Sequence, residues 1–163
     1  MLMSDSGRGK GYEASFNTSR GILKWGGIFK ILSGVYFLLR ALVYLSAASA
    51  SDSLPVDIYS AVNEAIDYLY QTGVIVLIDG ILSLFHGLTS YIASKDWSYG
   101  RTAWIFSILS GVYGIGRLIS LLVTNFSKPG VIGAAFITAV SLLMFFAAYT
   151  VMKISEEKSK EEL

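Results

Sequence analysis

The chain has no cysteine, two prolines, a single histidine (His86), and charge on only 15% of its 163 residues. Without cysteine there is no disulfide framework, no thiolate metal site and no cysteine nucleophile. One histidine rules out bis-histidine haem within a single chain. Soluble domains carry about 25% charged residues, so charge is scarce where a water-facing surface needs it. The net charge of +1 gives no basis for nucleic-acid binding, which usually rests on a basic surface. Neither paired carboxylates nor a nucleophile–base set nor a metal-ligand cluster stands out, so the chain is expected to be no enzyme and to use no cofactor. The Gly111-x-x-Gly114-x-Gly116 pattern lies mid-helix with no strand before it, so it does not read as a phosphate cradle.

What the sequence has is apolar length, with 53% hydrophobic residues. A bilayer core of about 30 Å takes roughly 20 mainly apolar residues per helix. Four stretches meet that length, at about residues 26–48, 72–93, 102–124 and 131–152. A lipid-exposed backbone must satisfy its own hydrogen bonds, so these spans are expected as helices. The expected fold is an all-α integral membrane protein with four transmembrane helices in one bundle.

Basic residues set the expected orientation. Arg8, Lys10, Arg20, Lys24 and Lys30 lie before span one or near its start. Lys95 and Arg101 fall in the second connection, and Lys153, Lys158 and Lys160 follow span four. The opposite side has only Lys128, and its long first loop carries Asp52, Asp57, Glu64 and Asp67. The positive-inside rule then puts both termini in the cytoplasm, with Trp25, Trp97 and Trp104 near the inner boundary. Residues 1–20 are polar and rich in Gly and Ser; they read as a flexible tail without a signal peptide. Residues 153–163 read as a charged helical extension of span four. In the outer loop, Val56, Tyr59, Val62, Ile66 and Leu69 recur at helical spacing behind Pro55. That predicts an amphipathic helix over 55–70, either flat on the membrane or continuous with span two.

An internal repeat stands out. Residues 28–36 read Ile-Phe-Lys-Ile-Leu-Ser-Gly-Val-Tyr, and residues 105–113 read Ile-Phe-Ser-Ile-Leu-Ser-Gly-Val-Tyr. At this offset of 77, Arg40 also matches Arg117 and Lys24 matches Arg101. Spans two and four align more weakly at an offset of 58, through Ser83-Leu84 with Ser141-Leu142 and Tyr91 with Tyr149. The expected unit is a helical hairpin duplicated in tandem, with both copies entering the membrane in the same direction.

Polar stripes follow the repeat. Span one carries Ser33, Tyr36 and Arg40 on one side, extended by Lys30 and Tyr44; span three carries Ser107, Ser110, Tyr113 and Arg117. Span two aligns Thr72, Asp79, Ser83, His86, Ser90 and Ser94, while span four is the most lipid-like. These faces are expected to turn inward. Gly34, Gly73, Gly80, Gly87, Gly111 and Gly114 are expected at helix contacts, because small residues let backbones approach in lipid. Arg40, Asp79 and Arg117 each lie about seven residues below the outer ends of their helices, roughly 10 Å deep at a rise of about 1.5 Å per residue. They form the candidate buried charge site, in which Asp79 can pair with one guanidinium and one positive charge is left without a membrane-embedded carboxylate. Snorkelling to lipid phosphates, neutralisation by Glu64 or Asp67, or a bound anion would each balance the remaining charge. His86, with Ser83, offers either a proton relay or a neutral hydrogen bond inside the bundle.

Two functions follow from these features. The first is a small non-catalytic scaffold or accessory subunit of a membrane assembly, bound to lipid and to other membrane subunits or to copies of itself. The second is a small oligomeric transporter or channel with an anion or proton-coupled site at Arg40, Arg117 and Asp79. Either is expected in the plasma (cell) membrane.

Overall fold

The computed structural model describes residues 5–50, 56–124 and 128–161, with side chains over 13–50, 62–123 and 130–157. Asp52 and Pro55 lie outside the described residues, as do the side chains of Arg8, Lys10, Asp57, Tyr59, Lys128, Lys158 and Lys160. Helix α1 is Asp5–Ala50, α2 Val56–Ala93, α3 Gly100–Thr124 and α4 Lys128–Glu161; a 3-10 turn at Trp97–Tyr99 lies between α2 and α3. Each helix is long and apolar enough to cross a membrane, over Glu13–Ala50, Val62–Ala93, Trp97–Val123 and Gly130–Glu157. This is an all-helical protein of multi-pass membrane type.

The helices outrun the spans read from hydropathy. At 1.5 Å per residue the 46 residues of α1 extend about 69 Å, more than twice the hydrocarbon thickness. Residues 5–20, expected as a flexible tail, belong to this helix. Three contacts account for the order of their described part. Phe16 packs on a buried apolar cluster, Ser19 is buried, and Arg20 Nε donates to the Ser94 carbonyl at 2.7 Å. Extending an existing helix avoids the cost of nucleating one, which outweighs the Gly and Ser content of the segment. Helix α2 starts at Val56 and continues unbroken through the span, so the segment read as a separate amphipathic helix or as continuous with span two is its first turns. Helix α4 likewise continues past Lys153 to Glu161.

The chain forms two compact units, one of Met1–Phe29 with His86–Leu163 and the other of Lys30–Phe85. The core of the first is Leu23, Ala93, Ala103, Met144, Ala147, Ala148 and Val151, with Phe16, Trp104 and Val140 against it. Helix α4, expected as the most lipid-like, contributes a narrow buried stripe of Thr138, Ser141, Met144, Ala147, Ala148 and Val151. Those residues recur every three or four positions, while Leu142, Leu143 and Phe146 stay exposed as a lipid-facing surface would. Low polarity on α4 therefore disguised a packed face built from small side chains and one methionine.

In the second unit α1 buries Lys30, Gly34, Ala41 and Ala48, and α2 buries Ile66, Gly73, Val76, Gly80 and Ser83. The sevenfold spacing of Gly34, Ala41 and Ala48, and of Ile66, Gly73 and Gly80, is that of two helices meeting along a seam. Contact there is close. A Cβ added to Gly34 would stand 2.7 Å from Leu84 Cγ and 3.0 Å from the Gly80 carbonyl oxygen; one on Gly80 would stand 2.8 Å from a Leu38 methyl.

Candidate functional site

The polar residues separate by unit. In the second unit, α1 places Lys30 on the same seam as Gly34, and Lys30 is 1% exposed. The carboxylate whose charge acts on it is Asp79, a half-buried residue of α2. Sequence reasoning had counted Lys30 among the basic residues near the start of span one and also as an extension of the Ser33–Tyr36–Arg40 stripe expected to turn inward. The signal that finds it is positional: Lys30 lies four residues before Gly34, so it shares the glycine face. A fourth intramembrane charge thus joins Arg40, Asp79 and Arg117, and Asp79 serves an ammonium.

Arg40 has a different environment. Its Nη2 donates to the Tyr44 hydroxyl at 2.6 Å, and its guanidinium lies 5.8 Å from the Tyr36 ring centroid and 5.4 Å from that of Tyr44. Tyr36, Arg40 and Tyr44 follow one another at i, i+4 and i+8, so one helix supplies the whole clamp. A phenol oxygen accepts the hydrogen bond and two ring faces attract the cation. Tyr36 is 57% exposed and Arg40 half-buried, so this stripe does not turn fully inward. The reason is geometric: the Ser33–Tyr36–Arg40–Tyr44 direction lies roughly 90° around α1 from the Lys30–Gly34–Ala41 seam, at about 100° per residue. Arg117 is half-buried and belongs to the first unit, whereas Arg40 and Asp79 belong to the second. Tyr113 and Ser33 are also half-buried. Glu64 and Asp67, the acidic loop residues expected to fold down, are exposed on α2.

In the first unit the polar residues do turn inward. His86 is fully buried, and its Nε2 lies 2.9 Å from Ser107 Oγ. Ser107 donates its one hydroxyl proton to the Ala103 carbonyl at 2.8 Å. With the serine proton so used, its oxygen is free to accept from the imidazole in the tautomer that carries its proton on Nε2. Further along, Ser110 and Ser141 face each other at 3.4 Å, and Ser141 donates to the Ile137 carbonyl at 2.9 Å. Ser90 and Ser94 are buried on α2, Ser94 donating to the Tyr91 carbonyl at 2.6 Å. Among the described residues, Ser90 Oγ and Trp104 Nε1 are buried without a hydrogen-bond partner.

Glycine contacts set the spacing here too. A Cβ on Gly27 would lie 2.8 Å from the Gly87 carbonyl oxygen and 2.9 Å from the Tyr91 nitrogen, and one on Gly114 would lie 2.7 Å from Thr138 Oγ1. Gly111 is looser, with Leu142 at 3.9 Å. Among the described residues no three His, Cys, Asp or Glu side chains gather in a way that holds a metal ion. Comparison with known proteins finds no matching family model, no matching curated protein and no matching solved structure.

Proposed function

We propose that this protein is a small non-catalytic integral membrane protein that acts as a scaffold or accessory subunit of a membrane assembly. The observation that carries the reading is the local clamp on Arg40. Its guanidinium is engaged by Tyr36 and Tyr44 of its own helix, so an anion or substrate is not needed to explain an arginine at that depth. Glycine contacts close enough to exclude a methyl group add to it, because they spend the helix faces on packing.

Within this proposal both termini are cytoplasmic, the membrane is the cell's plasma membrane, and the four helices are two tandem parallel hairpins. Equivalent contacts support the duplication. Shifting α1 by 77 and α2 by 58 residues turns the Gly34–Leu84 contact into Gly111–Leu142, and Gly27–Tyr91 into Trp104–Tyr149. The single mismatch in the nine-residue repeat, Lys30 against Ser107, is 1% exposed in both copies.

A second reading, an oligomeric transporter, draws on Lys30 and Asp79, since intramembrane ionisable residues commonly mark ion pathways. Purification in mild detergent, followed by solute-flux assays in vesicles, separates the two. The scaffold reading expects other membrane subunits to co-purify and no flux. Flux that Asp79→Asn abolishes in a folded protein contradicts it.

A further inference from the structure

One end of the first unit gathers cations and aromatic rings at the place where its apolar spans stop. Lys24 and Lys95 are both exposed, and they come from different helices. Lys95 hydrogen-bonds the Tyr91 hydroxyl, and the charge of Lys24 also acts on that hydroxyl. The Lys95 ammonium lies 4.5 Å from the Tyr91 ring centroid, and the Lys24 ammonium 5.7 Å from that of Trp25. Trp25 is 68% exposed, with Trp97 at 39% and Tyr99 at 44%. Arg101, also exposed, begins α3 beside them in sequence.

The helices that carry these groups are packed closely together. Gly27 brings α1 against the backbone of α2 at Gly87 and Tyr91, closer than any side chain would permit. Arg20 Nε ties α1 to the Ser94 carbonyl at 2.7 Å. The Lys95 amide donates to the Ile92 carbonyl at 2.9 Å, fixing the turn that carries the lysine. Two like charges from neighbouring helices therefore act on one phenol oxygen, which favours an anion beside them. The phenol proton remains available for donation to that anion. Exposed tryptophans and tyrosines at span ends occupy the headgroup level of a bilayer, so the anion in reach is a lipid phosphate. Two clustered cations favour a headgroup with net negative charge over a zwitterion.

We propose that Lys24, Lys95 and Tyr91 bind the phosphate of an acidic phospholipid in the leaflet at this end of the protein, with Trp25 and Trp97 seated among its neighbours. The site is independent of the scaffold reading and stands or falls separately.

The test is native mass spectrometry of the full chain released from nanodiscs of phosphatidylcholine, alone or with a minor fraction of phosphatidylglycerol. Three forms are compared: wild type, Lys24→Ala/Lys95→Ala and Lys24→Arg/Lys95→Arg. Wild type is expected to retain phosphatidylglycerol well above its share in the disc. Retention should fall about fivefold per cation removed in the alanine pair and persist in the arginine pair. Thermal midpoints in pure phosphatidylcholine should match, because both lysines are exposed. Equal retention of the two lipids by wild type overturns the proposal, as does undiminished retention by a folded alanine pair. Displacement of the lipid by inorganic phosphate also overturns it, by showing a site for a soluble anion.

Discussion

Gly34 and Gly111 occupy matching places in two sequence segments that are identical at eight of nine positions, yet their surroundings differ by more than 1 Å. A Cβ on Gly34 meets Leu84 at 2.7 Å, and one on Gly111 meets Leu142 at 3.9 Å. Gly34→Ala should therefore cost about 1–3 kcal/mol through overpacking, while Gly111→Ala should be neutral or gain up to about 1 kcal/mol. Thermal or denaturant unfolding of the two variants in one detergent checks the difference. His86 and Ser107 permit a double-mutant cycle with His86→Phe and Ser107→Ala, for which a coupling of about 0.6 kcal/mol, at most about 1.7, is expected. For Lys30, removal alone leaves Asp79 without the ammonium on which its charge acts. Lys30→Met should consequently lower the unfolding midpoint more than Lys30→Met/Asp79→Asn does. At this scale sequence pattern named the glycines, His86 and Asp79, and put Lys30 both near the start of span one and at the edge of the stripe expected to turn inward. Its rotational position on α1, in line with Gly34 and Ala41, buries it.

Elements were legible where hydropathy period decides and less so where tertiary contacts extend a helix. All four spans were readable because apolar length and lipid leave the backbone no alternative to helix. The start of α1 was not, since Ser19 and Arg20 owe their order to neighbours distant in sequence. The stripe on α1 was legible as a stripe, but its neighbour was not: Tyr36 and Tyr44 serve Arg40 along the same helix instead of a shared interior. The connection between α2 and α3 offers a pH prediction. Asp96 accepts from the Ser98 hydroxyl at 2.7 Å and from the Ser98 amide at 3.0 Å, capping the 3-10 turn. Those bonds, the side-chain one foremost, hold its carboxyl below the ordinary value of 3.8. The cap is therefore complete above pH 3.8 and is lost as pH falls through the depressed value. The protection of the Ser98 amide, its exchange rate measured against the intrinsic rate at the same pH, should be high at neutral pH, fall in acid below that range, and be low throughout in Asp96→Ala.

For the whole molecule, the scarcity of charge that marks the sequence becomes a division of labour. Among the described residues, exposed Lys24, Lys95, Arg101 and Lys153 lie at span ends, and three ionisable groups inside the spans have a specific environment: a carboxylate near Lys30, two tyrosines at Arg40, a serine at His86. The glycine contacts devote the facing helix surfaces within each unit to packing. Function at this scale was the least legible, because apolar length, helical stripes and glycine seams specify packing in a membrane without specifying a chemistry. Gentle extraction of the native complex, followed by measurement of its mass and subunit composition, tests the central claim most directly. The account predicts a defined assembly in which this chain co-purifies with other membrane subunits. A clean monomer that carries solute across vesicles, with flux lost in folded Arg40→Ala and Arg117→Ala variants, would contradict it.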